Sequence, residues 1–238
     1  MRDTLYYFVM VPMVYLAAAV FVAGLIFKFM NVMFSPRIKG RLGLFPRRLP
    51  RAAGVLKDAF ALPPAFRKDK VFWAFIIAFH VAFALLALGH LELIREFAFL
   101  QIISHQVFLG AGAVGIVLIA ATLYFLFRRF RTPWREISVP EDFILLLVLF
   151  VTMIFGSHMH LAARYGIAGF DIPLEDYRAY LGGLVSFKPV IPDMIANSPH
   201  YIIIVIHIFF ANLFIMLFPF SKMIHSVFAF SALSLKRK

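Results

Sequence analysis

Five long apolar runs constrain this chain more than any other feature of its sequence. They cover approximately 6–30, 71–93, 104–127, 143–163 and 199–220. A helix needs about 20 mostly apolar residues to cross the hydrocarbon core of a bilayer. Each run therefore predicts one transmembrane helix. We expect an all-α fold: an integral membrane bundle of five transmembrane helices, forming a single membrane domain over residues 1–238.

The composition excludes the usual classes of soluble protein. Charged residues make up 15% of the chain and hydrophobic residues 63%, whereas a soluble domain carries about 25% charged residues. The chain has no cysteine, which excludes disulfides, cysteine-bound iron–sulfur clusters and cysteine-attached haem. The formal net charge of +12 does not indicate a nucleic-acid partner, because the basic residues sit in short loops between apolar runs.

The basic loops predict how the chain is oriented in the membrane. Lysine and arginine dominate the loop 35–70, the connection 128–135 and the tail 236–238, whereas the loop 165–199 carries mixed charges. Basic loops stay on the cytoplasmic side, so we expect a multi-pass protein of the cell membrane with its N-terminus outside and its C-terminus inside. A short amphipathic helix is expected around 51–61, for lipid contact or for partner docking.

Four histidines in two of the apolar runs are the main candidates for function. Ionisable residues inside a membrane span are costly, which makes them functional candidates, and imidazole is a common axial ligand of haem iron. His80 and His90 lie in the second run, and His207 and His225 lie in and just past the fifth. Opposite chain directions pair His90 with His207 near the outer face and His80 with His225 near the inner face. These pairs predict two b-type haems, with the four histidines as ligands of the haem iron.

The two histidines of the second run and the two of the fifth run are spaced unequally along their helices. The first two histidines are ten positions apart and the last two are eighteen apart, which in a straight helix correspond to rises of about 15 Å and about 27 Å. A bend at Pro219 is expected to absorb part of the difference. Lys222 is expected to reach the inner headgroups or a haem propionate.

Three sequence motifs accompany the histidines. They are FHVAFALLALGH at 79–90, LFPFSKMIH at 217–225 and RTPWREISVPEDFILLLVLF at 131–150. They resemble the second helix, the last helix and the start of the fourth helix of the respiratory nitrate reductase gamma subunit family, a family of dihaem cytochromes b. The resemblance covers roughly 71–228.

The resemblance implies an electron-transport subunit that is not catalytic alone. It implies five transmembrane helices with the N-terminus outside, two b haems on the same four histidines, menaquinol or another quinol as substrate at the outer side, and a cytoplasmic iron–sulfur partner subunit. The longer loop between the first two runs looks more like the branch associated with sulfite reduction and heterodisulfide-reductase-like partners (the DsrM or HmeC type). That branch is therefore favoured, and a nitrate reductase gamma subunit is the alternative.

Polar side chains at the outer membrane edge are candidates for a quinone site. Such a site needs a proton acceptor and hydrogen-bond donors. His105 and Gln106 begin the third run, and His160 lies near the end of the fourth. His158 and Arg164 compete with them, and a polar interface cluster without quinone is the alternative.

A function of a different class also remains open. The histidines would suit a cofactor-free membrane transporter or proton channel, and a purely structural anchor with vestigial haems is a third reading. A reduced-minus-oxidised visible spectrum separates the cytochrome from the transporter or channel, because only the cytochrome gives a b-type alpha band.

Overall fold

The computed structural model describes residues 2–34, 49–94 and 112–236, and every regular element in those ranges is helical. In chain order, the helices are α1 (Arg2–Met10), α2 (Pro12–Met33), α3 (Leu49–Ala61), α4 (Pro63–Lys68), α5 (Lys70–Ile94), α6 (Ala113–Arg129), α7 (Trp134–Ile137), α8 (Pro140–Arg164), α9 (Leu174–Val185), α10 (Asp193–Ala196), α11 (Tyr201–Leu217) and α12 (His225–Lys236). Two 3-10 turns, Phe218–Phe220 and Lys222–Ile224, connect α11 to α12. The helix expected around 51–61 is observed as α3.

Four helical stretches within the described ranges are long and apolar enough to cross a membrane. They are Thr4–Met33, Lys70–Ile94, Pro140–Arg164 and Tyr201–Phe220, with mean hydropathies of 2.4, 2.5, 2.1 and 2.5. These stretches confirm a multi-pass, all-helical membrane protein. The predicted span 104–127 begins outside the described residues, and α6 is its described part. The fifth span therefore stays a prediction.

The membrane helices pack as a row of neighbours. Helix α5 packs on α6, α6 on α8, α8 on α11, and α11 on α2. Leu118 of α6 and Leu149 of α8 are fully buried between these helices, and Phe79 of α5 is buried beside them. Gly115 lies directly against Ser157, because a residue without a side chain lets two membrane helices approach closely.

One end of the bundle, which we call the basic end, carries Arg128, Arg129 and Lys222. The Arg128 guanidinium lies between two aromatic rings, 3.7 Å from the centroid of Phe72 and 3.8 Å from that of Trp134. The same guanidinium pairs with Asp69 at 3.4 Å. These contacts fasten the start of α5 to the end of α6, so the helix that carries His80 and His90 is anchored at this end.

The opposite end, which we call the capped end, is covered by α9 and α10. Ile195 of α10 is fully buried there, and Leu184 and Tyr180 of α9 pack against the first and last spans. The Tyr15 hydroxyl donates to the carbonyl of Leu184 at 3.0 Å. Burial raises the pKa of the Tyr180 hydroxyl above its usual range, so this group stays protonated and remains a hydrogen-bond donor.

Pro12 interrupts the first span between α1 and α2. Proline has no N–H and its ring clashes with the preceding turn, so backbone carbonyls before it lose their usual helical partners. Two side chains supply replacements. The Tyr180 hydroxyl donates to the Met10 carbonyl at 2.6 Å, and the Asn212 amide donates to the Val9 carbonyl at 3.3 Å. An unbonded carbonyl in lipid costs several kcal/mol, so these two bonds join the cap and the last span to the first.

Candidate functional site

Two pairs of histidines face each other across the bundle. The ring centroids of His90 and His207 are 6.5 Å apart, with the ring planes inclined at 31°. Those of His80 and His225 are 6.2 Å apart, with the planes at 73°. The structure therefore brings together the same pairs that helix direction and depth predict. The first pair lies towards the capped end and the second lies towards the basic end.

The spacing within each pair fits two imidazoles on opposite sides of one iron. A metal–nitrogen bond of about 2 Å and a ring nitrogen about 1.1 Å from the ring centre place two such centroids about 6.2 Å apart. Two packed aromatic rings also fall in this range, at about 4.5–7 Å. The distance alone therefore does not decide between ligands and packed rings, and the hydrogen bonds of the ring nitrogens carry the argument further.

All four histidines place their Nδ1 atom at hydrogen-bond distance from a backbone carbonyl. The pairs are His80 with Ile76 at 2.8 Å, His90 with Leu86 at 2.9 Å, His207 with Thr152 at 3.0 Å, and His225 with Lys222 at 2.8 Å. A carbonyl oxygen only accepts, so Nδ1 is the donor in each contact, and in a neutral ring Nε2 is then the nitrogen with the lone pair. Metal-bound histidines are held by the same kind of bond from their other nitrogen.

His200 shows the opposite arrangement. Its Nε2 atom, not its Nδ1, lies 3.1 Å from the Ala168 carbonyl. Its ring stacks on Phe170, with centroids 4.1 Å apart and planes at 13°, and His158 meets the same phenylalanine edge-on at 5.3 Å. His158 and His200 therefore belong to an aromatic cluster at the capped end.

Two residues of α8 that the sequence analysis did not single out shape the position of His207. A Cβ atom added at Gly156 would lie 2.8 Å from Cε1 of His207, and the Thr152 carbonyl accepts the Nδ1 proton. Gly156 follows Thr152 by four positions, so both lie on one helix face. A glycine inside an apolar run was the available signal, since it allows a close approach.

The predicted quinone residues are only partly within the described ranges. His105 and Gln106 lie outside them, and their role stays a prediction. His160 is half-buried at the capped end of α8. Its Cδ2 atom would lie 3.6 Å from a Cβ atom added at Gly112, so the start of α6 passes beside it. The quinone role of His160 also stays a prediction.

Lys222 forms a contact that differs from the expected one. Its ammonium lies 2.6 Å from Oδ2 of Asp142, which is 5% exposed, and the Arg129 guanidinium lies 3.1 Å from the same oxygen. The side chain of Lys222 is 63% exposed, so the expectation that it also reaches the headgroups or a propionate stays a prediction.

Over residues 2–34, 49–94 and 112–236, no three His, Asp or Glu side chains form a ligand set for a metal ion. Each histidine pair supplies two nitrogens. Two is the number of protein ligands that haem iron takes when both of its axial positions are filled. The donor sets therefore suit an iron whose other four ligands come from a porphyrin.

The comparison with known proteins bears on both pairs. A family model described as nitrate reductase gamma subunit matches residues 65–238. The matched region runs from α4 to the end of the chain and includes all four histidines. No curated protein matches the chain.

Proposed function

Since the chain belongs to the nitrate reductase gamma subunit family, whose members are haem b membrane subunits of respiratory oxidoreductases, we propose that it is a dihaem cytochrome b. In this proposal it carries electrons between the quinone pool and a cytoplasmic iron–sulfur partner. The observation that carries the proposal is the shared arrangement of the four histidines, each with its Nδ1 at hydrogen-bond distance from a backbone carbonyl, which makes Nε2 the nitrogen that would coordinate a metal.

His90 and His207 would hold one b haem, and His80 and His225 would hold the other. When bound, the haems supply the one-electron redox chemistry. The protein holds the imidazoles in one tautomer and keeps the space between the pairs apolar. Phe83 and Phe214 meet edge to face there, with centroids 6.3 Å apart.

The distribution of charge supports an orientation for this pathway. We assign the basic end to the cytoplasmic side and the capped end to the outside, with five spans and an external N-terminus. Quinol, such as menaquinol, is oxidised at the outer side. His105 and His160 are the candidates for accepting its protons, and Gln106 is a candidate hydrogen-bond donor to it. Quinone reduction would use the same residues in reverse.

The partner at the basic end is proposed to be an iron–sulfur subunit. The family match supports a nitrate reductase subunit. The long basic loop 35–70 supports a heterodisulfide-reductase-like subunit of the sulfite-reduction type. Copurification of the tagged full chain from its native membranes distinguishes them, because each partner is identified directly from the isolated complex.

The test of the haem assignment compares histidine variants of the full chain in membranes. We expect two b-type components in a reduced-minus-oxidised spectrum resolved by potential. His207→Ala should remove one component and His225→Ala the other, while His200→Ala should keep both because its ring bonds through Nε2. A wild-type chain without a b-type alpha band would overturn the proposal and favour the transporter or proton channel.

A further inference from the structure

A buried carboxylate at the basic end connects three separate elements. Asp142, in the first turn of α8, is 5% exposed. Its Oδ2 atom accepts from Arg129 at the end of α6 at 3.1 Å and from Lys222 of the second 3-10 turn at 2.6 Å. Both cations bind the same oxygen atom. The carboxylate therefore fixes the 3-10 turn relative to the two membrane helices.

The 3-10 turn that Asp142 holds also positions a histidine. The backbone carbonyl of Lys222 accepts the Nδ1 proton of His225 at 2.8 Å. Asp142 therefore acts on the side chain of Lys222, and the carbonyl of that same residue orients the imidazole ring. His225 directly follows this turn, at the start of α12, so a movement of the turn would change the direction of its ring.

We propose that Asp142 is a positioning residue for the haem held by His80 and His225, acting through Lys222 on the orientation of His225. The inference rests on the proposed function. It adds a residue that lies outside both histidine pairs and does not itself contact the metal ligands.

A role as a helix cap explains only part of the Asp142 geometry. The N–H of Val139 donates to Oδ2 at 3.3 Å, which is the usual bond from a backbone group at the start of a helix to an acidic side chain in the first turn. That bond does not require a lysine from a segment 80 positions away. Without the Asp142 carboxylate, the mostly exposed Lys222 side chain loses its bond to α8, so we expect the 3-10 turn to move more freely.

The expected consequence is a change in the redox properties of one haem. A firm bond from Nδ1 to a carbonyl raises the basicity of the imidazole, and a more basic ligand favours the ferric state. Loosening the Lys222 turn should therefore raise the midpoint potential of the basic-end haem. It should also broaden its low-spin ferric EPR signal, because the imidazole then takes more than one orientation.

The experiment compares Asp142→Asn with Lys222→Met in the full chain in membranes. The basic-end component is identified as the one missing in His225→Ala. Positioning predicts that both variants raise its potential and broaden its EPR signal, with the other component unchanged. If the charges act only through space, loss of the anion raises the potential and loss of the cation lowers it. Opposite shifts therefore overturn the inference.

Glu141→Gln is the matched control. It removes the neighbouring carboxylate from the same helix turn, at an exposed position, and should leave the EPR line shape unchanged. Lys222→Arg keeps a cation for Asp142 and should restore a narrow signal. If Asp142→Asn does not accumulate in membranes, Lys222→Met alone decides, since an unchanged or lowered potential contradicts positioning.

Failure of the inference is distinguishable from failure of the proposed function. A wild-type chain without b-type absorbance overturns the proposed function and the inference with it. Two b-type components in the wild type, with both variants identical to it, overturn the inference alone.

Discussion

At the residue scale, the four histidines depend on different parts of the chain for their orientation. His80 and His90 bond the carbonyls four positions before them in α5, so one helix orients both rings. His207 bonds the carbonyl of Thr152, 55 positions away on α8. The orientation of His207 therefore requires that α8 and α11 pack correctly. The orientations of His80 and His90 require only that α5 forms.

The first prediction concerns Gly156. In Gly156→Ala the new methyl group would overlap Cε1 of His207, which lies 2.8 Å from the ideal Cβ position. The ring must move away from the Thr152 carbonyl, and we expect loss or a marked spectral shift of the haem at the capped end. The measurement is the reduced-minus-oxidised spectrum of membranes, with the basic-end component as internal reference.

Gly182→Ala serves as the control for this prediction. Gly182 also lies in a helix, but its added Cβ atom would meet only the Ile94 carbonyl at an ordinary 3.9 Å. Both components should survive. An unaltered spectrum in Gly156→Ala would contradict the close contact between Gly156 and the His207 ring.

The sequence predicts the pairing of the histidines but not the residues that position their rings. Four ionisable side chains in apolar runs are conspicuous, and opposite helix directions suffice to pair them. Thr152 contributes only a backbone carbonyl, which every residue has. Asp142 reaches a partner 80 positions away, and no local pattern reports a contact of that kind.

At the scale of the element, the connection from α11 to α12 explains how His225 can lie beside His80 although the histidines are spaced unequally along their helices. Two 3-10 turns interrupt the helix between His207 and His225. Helix α11 ends at Leu217, and Ser221 between the two 3-10 turns is extended, with φ −96 and ψ 173. Its hydroxyl accepts from the Met223 N–H at 3.2 Å and donates to the Phe218 carbonyl at 3.0 Å. The sequence predicts a bend at Pro219. The extended serine within it follows from hydrogen bonds that only the folded turn makes.

The second prediction tests this connection. Pro219→Ala allows a more regular helix, in which His225 moves along the axis away from His80. It also removes the Cγ atom that lies 2.9 Å from the ideal Cβ position of Gly24. We expect the basic-end haem to be lost and the other to remain, as measured by haem content per chain. Pro192→Ala, at the capped end, should retain both haems, and full haem content in Pro219→Ala would contradict the geometry.

The third prediction concerns the break in the first span. Tyr180→Phe leaves the Met10 carbonyl without its donor, which should lower the free energy of unfolding by about 1–3 kcal/mol. Unfolding in mild detergent, followed by circular dichroism, measures the change. Adding Pro12→Ala removes the ring clash and allows α1 and α2 to form one regular helix, in which the N–H of Val14 bonds the Met10 carbonyl. The double variant should therefore lose less stability than the sum of the two single variants.

At the scale of the whole molecule, the number of spans decides whether the two ends of the chain lie on the same side of the membrane or on opposite sides. The absence of cysteine permits single-cysteine labelling with a membrane-impermeant maleimide. In the fourth prediction, Thr4→Cys and Ser186→Cys react from outside the cell, and Ser234→Cys reacts only after the membrane is opened. Labelling of all three positions from the same side would indicate an even number of spans.

The sequence predicts the membrane bundle well because apolar runs of this length have few other solutions. The bounds of α5 and α8 lie within a few residues of the predicted runs. The cap over one end was not predicted. Its helix α9 is amphipathic and short, and Tyr180 and Leu184 are buried only because distant spans meet there.

The bonds across the break in the first span also bear on how the protein is made. The Met10 and Val9 carbonyls bond side chains 170 and 203 positions later in the chain. At about 5–20 residues per second, the ribosome supplies those donors roughly 10 to 40 s after the carbonyls. During synthesis these two carbonyls must therefore bond other donors, from water, the insertion machinery or a chaperone, until Tyr180 and Asn212 have been added to the chain.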